Sequence, residues 1–161
     1  MRHVYTSYPP NGTVDVLGSD HAPHTREEKQ RPYPKSPSGM PGVQTILPVM
    51  LDHVNAGRLS LQKLVELLCA APTRLYGLLN KGTLAPGFDA DITLVDMNAQ
   101  RTIEDAQMAS RCGWTPFAGR TVQGWPQGVV LGGSVAMWQG EVVGPPQGTM
   151  LSFADTDSLP S

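Results

Sequence analysis

One apolar run, Val14-Asp15-Val16-Leu17-Gly18-Ser19, precedes a long helical region and ends in Asp20-His21-Ala22-Pro23-His24. The run predicts a buried strand over 13–18 with a carboxylate at its exit. Pro23 has no backbone N–H and stiffens the exit loop, and His24 lies four residues beyond the acid. A single strand leaves both of its edges unpaired, so it needs neighbours from elsewhere. In barrel enzymes the C-terminal strand ends are where catalytic groups collect. A carboxylate and an imidazole there can bind a metal, move a proton or hold an anionic substrate. The plainer alternative is a loop with a capping Asp and a solvent-facing His.

Behind that motif the chain changes character twice. Residues 24–39 form a long polar connection rich in Pro, Lys, Arg and Glu, ending in Ser38-Gly39-Met40-Pro41-Gly42. A connection of that length is usually functional or mobile, and its charged run 26–31 reads as a solvated flap or a lid. Its glycines allow a backbone to approach a ligand closely. From Val43, helical spacing puts Ile46, Leu47, Met50, Leu51 and Val54 on one face, with Pro48 starting or kinking the helix and Gly57 ending it. His53, beside Asp52, reads as a surface residue. Ser60 is a good N-cap for a second helix with the stripe Leu61, Leu64, Val65 and Leu68, and Pro72 suits the first turn of a third. Beyond Lys81 strands take over: 91–95, 128–131 and 135–138, then a Gln139-Gly140 turn into a hairpin.

Composition excludes several classes. A net charge of −2 gives no nucleic-acid or anionic-membrane signal. No apolar run approaches the ~20 residues of a membrane span. The first residues lack a signal-peptide core, so the expected location is the cytoplasm. Cys69 reads as a small apolar residue in a helix and Cys112 as a free thiol. With 161 residues, the chain is too short for a whole (β/α)8 barrel, which needs ~250.

Three ordered motifs carry a family resemblance. Ser19-Asp20-His21-Ala22-Pro23-His24-Thr25, with Glu27-Glu28-Lys29 and Pro41-Gly42-Val43-Gln44-Thr45, resembles the end of the metal-dependent barrel of dihydroorotases, cyclic amidohydrolases of the amidohydrolase superfamily. The stretch 81–92, Lys-Gly-Thr-Leu-Ala-Pro-Gly-Phe-Asp-Ala-Asp-Ile, resembles the segment re-entering their small β domain, and Trp114-Thr115-Pro116-Phe117-Ala118-Gly119 resembles a dihydroorotase tail motif. The resemblance implies an α/β fold class: the C-terminal remnant of a (β/α)8 barrel, with its last strand and helices, followed by part of a small β-rich composite domain. The implied divisions are an unmatched segment 1–11, a barrel part 12–80, and a β-rich domain with tail 81–161.

The same resemblance implies the chemistry. Asp20 matches a metal ligand and general acid/base, so it is the candidate catalytic and metal-binding residue. His24 matches a position that binds the substrate's carboxylate, and Ser38 and Gly39 match a pair whose backbone lines the substrate. The implied cofactor is Zn2+ in a full-length enzyme, and the implied substrate is dihydroorotate, interconverted with N-carbamoyl-aspartate in pyrimidine biosynthesis. His21 reads as a supporting residue, and the Trp114 cluster as packing that pins the tail. The family's His-x-His pair, carboxylated Lys, further His ligands and substrate Arg and Asn have no counterpart here. One carboxylate cannot hold a catalytic zinc, which draws about three protein ligands. The expectation is therefore a truncated frame, a fragment or one part of a split enzyme. Such a chain should be inactive and sticky alone, its partner being a missing N-terminal barrel portion. Alternatives are an allantoinase- or dihydropyrimidinase-like amidohydrolase, or a non-catalytic partner of aspartate transcarbamoylase. The enzymatic reading asks that Asp20 sit at a β end facing a concave surface.

Overall fold

The computed structural model describes residues 14–154. They fall into two compact units whose segments alternate along the chain: 14–17, 56–96 and 126–154 in one, 18–55 and 97–125 in the other.

The second unit is built on α1 (Arg26–Lys29) and α2 (Ile46–Asn55). Pro48 lies in the first turn of α2, where its missing N–H breaks no helical bond, so the helix starts near it and runs on. Val49 and Leu51 are fully buried, and Val49 packs with Ile103 and Val122, joined by Met108, Phe117 and Trp125. His53, one turn after Val49, is buried at 5% exposure, not at the surface as expected. The helix is covered on the 49/53 side as well as on the predicted stripe, which spacing alone does not reveal. Asp52 instead looks outward to chain segments: it accepts from Arg120 Nη2 at 2.8 Å and from the Gln123 amide at 3.1 Å. Asn55 Nδ2 donates to the Met97 and Gln123 carbonyls.

In the first unit, α3 (Leu61–Val65) runs through a π-helical turn, Glu66–Ala70, into α4 (Ala71–Tyr76). Ser60 accepts from the Lys63 amide, and Pro72 sits in the first turn of α4, both as the sequence predicts. Leu64 and Leu67 are fully buried, whereas Val65, Leu75 and Tyr76 stay at least half exposed, an apolar helical surface that nothing among the described residues covers. The expected strand over 13–18 is a correction: the described residues 14–20 form no ladder. Leu17 gives its amide to the Leu67 carbonyl at 3.1 Å. A β-strand needs a hydrogen-bonded neighbour, and none pairs with it among the described residues.

The strands β1 (Ile92–Thr102), β2 (Thr121–Leu131), β3 (Ser134–Trp138) and β4 (Glu141–Val142) form one sheet in that order. The β2–β3 and β3–β4 pairs are antiparallel. At the predicted turn, Gln139 and Gly140 both have positive φ, 51° and 93°, the hand that a two-residue hairpin requires. The mixture of helices and antiparallel sheet is that of a partial barrel with a β domain, the expected fold class.

The resembling stretch 81–92 has a local structural job within the first unit. Lys81 Nζ reaches Asp91 at 2.5 Å and Asp89 at 2.9 Å, and the other Asp91 oxygen accepts from the Gly132 amide at 2.8 Å. The acid thus ties the entry of β1 to the β2–β3 turn. Lys81 first, then the Gly132 N–H, holds the Asp91 carboxyl below its ordinary value. Asp91 first, then Asp89, holds Lys81 above its own. The Asp91 contribution is therefore complete above the unfolded pKa of about 3.9 and disappears as pH falls through the lower folded value. The Lys81 contribution is complete below about 10.4 and disappears as pH rises through the higher folded value. In thermal melts, Asp91→Asn should lie furthest below the parent between about pH 5 and 9 and converge with it in acid. A gap that stays constant down to about pH 2 would refute the pairing.

Candidate functional site

All four sequence-predicted site residues lie in the second unit. Their two segments are brought side by side. His21 and Met40 form a parallel bridge, and the Ala22 amide donates to the Met40 carbonyl at 3.1 Å. The His21 ring ties the segments further, its Nδ1 accepting from the Gly42 and Val43 amides at 3.1 and 3.3 Å. That is the supporting role read from the sequence.

Gly39 and Gly42 let this approach happen. A Cβ at Gly39 would overlap the Ala22 carbonyl oxygen and stand 2.7 Å from Ala22 Cβ and 3.1 Å from His24 Cδ2. A Cβ at Gly42 would meet the Ser19 carbonyl oxygen at 2.9 Å. The missing side chains thus serve the chain's own packing, where the sequence suggested room for a ligand. Ser38 is exposed at the start of this turn.

Asp20 has φ 44°, in the left-handed region that few residues other than Gly, Asn and Asp adopt. Its side chain is exposed. Two cavities, about 330 and 550 Å³, are lined around Val14–Val16 with Lys63 and Glu66, and around Leu78–Lys81, and neither includes Asp20 or His24. No strand among the described residues ends at Asp20, so the expected placement of the acid at a β end facing a concave surface is not met within them.

The charged run 26–31, expected as a solvated flap or a lid, is largely exposed and opens on a short helix tied to its surroundings. Thr25 caps α1 in a reciprocal box: its hydroxyl accepts from the Glu28 amide, and its amide donates to Glu28 Oε2 at 2.9 Å. Lys29 Nζ donates to the Pro37 and Gly39 carbonyls, Ser36 Oγ donates to the Lys29 carbonyl, and Arg26 pairs with Asp105. The Thr25-x-x-Glu28 spacing is the sequence signal that reveals this helix start. His24 is half-buried, with its Nδ1 3.4 Å from Glu28 Oε2. Trp114 Nε1 donates to the His24 carbonyl at 2.7 Å, and the Thr115 amide donates to Asp105 at 2.8 Å. The tail motif therefore packs against the candidate loop, as its composition suggested.

The metal that the resemblance implies needs about three protein ligands. Among the described residues, no three His, Cys, Asp or Glu side chains gather into a set that could hold one. These residues alone do not fit it.

Residues 8–136 match the amidohydrolase family. The chain belongs to that family. It is 40% identical over 135 residues to the dihydroorotase of Pyrococcus furiosus, covering 84% of this chain and 31% of that relative. It is also 40% identical over 138 residues to the L-hydantoinase of Paenarthrobacter aurescens, covering 83% and 30%. Among solved amidohydrolases, the L-hydantoinase (dihydropyrimidinase) from Arthrobacter aurescens superposes with a TM-score of 0.79 at 40% identity, over 83% of this chain and 31% of that one. The chain thus spans under a third of the length of the relatives it matches. Among the described residues, no helix is long and apolar enough to cross a membrane.

Proposed function

We propose that this chain supplies the strand-end loop and small β domain of a dihydroorotase-like cyclic amidohydrolase, acting in the cytoplasm on dihydroorotate in pyrimidine biosynthesis. One observation carries the reading: in a member of this family, the segments of Asp20–His24 and Ser38–Gly42 pack edge to edge, with Gly39 against Ala22 and His24. In this reading Asp20 takes a proton from the attacking water. It returns that proton to the ring nitrogen as the amide C–N bond breaks. His24, with the backbone at Ser38 and Gly39, holds the end of the substrate that bears the carboxylate.

The zinc of this reading needs ligands from outside the described residues, so the remaining barrel is the partner the site requires. Asp20 would be this chain's contribution to that metal. The 40% identity to an L-hydantoinase favours a second reading, a dihydropyrimidinase-like specificity on the same site. The absence of a metal set among the described residues favours a third, a non-catalytic partner of aspartate transcarbamoylase. The 161-residue polypeptide, purified and supplied with zinc, is expected to give no dihydroorotate hydrolysis above the protein-free blank. Turnover abolished by chelator and by Asp20→Asn would show instead that the chain is a complete enzyme.

A further inference from the structure

His24 is held at three points, each by a different part of the second unit. Its carbonyl oxygen accepts from the Trp114 indole at 2.7 Å. The Cδ2 edge of its ring faces Gly39, where a Cβ would come within 3.1 Å. Its Nδ1 faces Glu28 Oε2 at 3.4 Å. The Glu28 carboxylate is itself fixed, because the Thr25 amide donates to the same oxygen at 2.9 Å. Of the ring's polar atoms, only Nε2 is left for a ligand.

We propose that Glu28 is a positioning residue for His24, fixing the imidazole with Nδ1–H toward the carboxylate and Nε2 outward, while Trp114 anchors the backbone beneath it. This rests on the reading of His24 as a substrate-binding residue and deepens it. A ring that gives its Nδ1 proton to a carboxylate has a bare Nε2 when neutral and a donor Nε2 when it is an imidazolium. Only the second form suits a ligand carboxylate, and in both forms the Nδ1 hydrogen points to Glu28. The Thr25 backbone N–H, aided by His24, holds the Glu28 carboxyl below the ordinary range. The pair is partly exposed, so its role is orientation rather than stability.

Long-range proton–nitrogen NMR of the 161-residue chain, labelled at histidine and assigned with His24→Gln, tests this directly. The expected neutral ring carries its hydrogen on Nδ1. Glu28→Gln keeps that tautomer, because the amide oxygen still accepts, and Glu28→Ala shifts the ring toward the Nε2–H form. Trp114→Phe speeds exchange of neighbouring loop amides with the tautomer kept. A parent ring protonated on Nε2, or a tautomer indifferent to Glu28→Ala, overturns the proposal. Glu28→Gln guards against loss of α1, since it retains the capping geometry. In a chimera that joins this chain to the remaining barrel of the Pyrococcus furiosus dihydroorotase, adding N-carbamoyl-L-aspartate should shift the His24 Nε2 signal. With the Glu28-dependent tautomer intact and no such shift, the substrate reading fails while the clamp stands.

Discussion

Gly124→Ala is expected to lower the melting temperature by roughly 10 °C, at about 2–4 °C per kcal/mol for this size. Gly124 sits in β2 with φ 101°, a conformation that costs an L-residue about 1–3 kcal/mol. A Cβ there would also stand 2.6 Å from Leu51 Cβ, in the middle of α2. Leu51 is fully buried and cannot turn away, so α2 and β2 must separate, at about another 1–3 kcal/mol. Gly128→Ala is the control. Its φ is not positive, and its new Cβ would meet the ring of Trp138, a half-exposed side chain with room to swing. It should cost under about 1.5 kcal/mol. Equal losses for the two variants would mean that the α2–β2 contact is not as tight as described.

Gly39→Ala should cost about 2–4 kcal/mol, an overlap term plus a lost backbone bond, and it should open the candidate site. The obstacle is backbone: the new methyl would strike the Ala22 carbonyl, which no rotamer change can relieve. Separating the segments breaks the bond from the Ala22 amide to the Met40 carbonyl and the bridge between His21 and Met40. Hydrogen exchange at the Ala22 amide, with thermal melting, reads both consequences. A protected Ala22 amide and a melting temperature within about 1 °C of the parent would show that the loop has slack there.

Local chemistry was legible where a residue's own neighbours decide its state. Ser60 caps α3, Pro72 opens α4, and Gln139-Gly140 turns the hairpin, each through bonds within a few residues. From the sequence the strands are expected at 91–95 and 128–131, shorter than they are: β1 runs on to Thr102 and β2 begins at Thr121. Asp96, Met97, Asn98, Ala99 and Gln100 alternate polar and apolar and alternate in exposure, a signal the sequence holds, and pairing with a neighbour fixes it as strand. The same dependence works in reverse at 14–18, where a strand-like run without a partner forms no strand. The candidate site was legible in the sequence only as motifs around Asp20, His24 and Gly39, whose segments the structure sets side by side. Its bracing was not. The Trp114 bond to His24 spans 90 positions, and no local signal marks it. His53 shows the limit of a single-face reading, since a helix packed on two sides buries what one stripe leaves outside.

The proposed role of this segment is tested most directly in a chimera. The matching 135-residue stretch of Pyrococcus furiosus dihydroorotase would be replaced by that of the present chain, and dihydroorotate hydrolysis measured with and without Asp20→Asn. The chimera should hydrolyse dihydroorotate, and the substitution should lower kcat by about 10²–10⁴-fold, the usual worth of a general acid/base. A folded chimera without turnover, or one whose rate the substitution leaves within about twofold, would contradict the account.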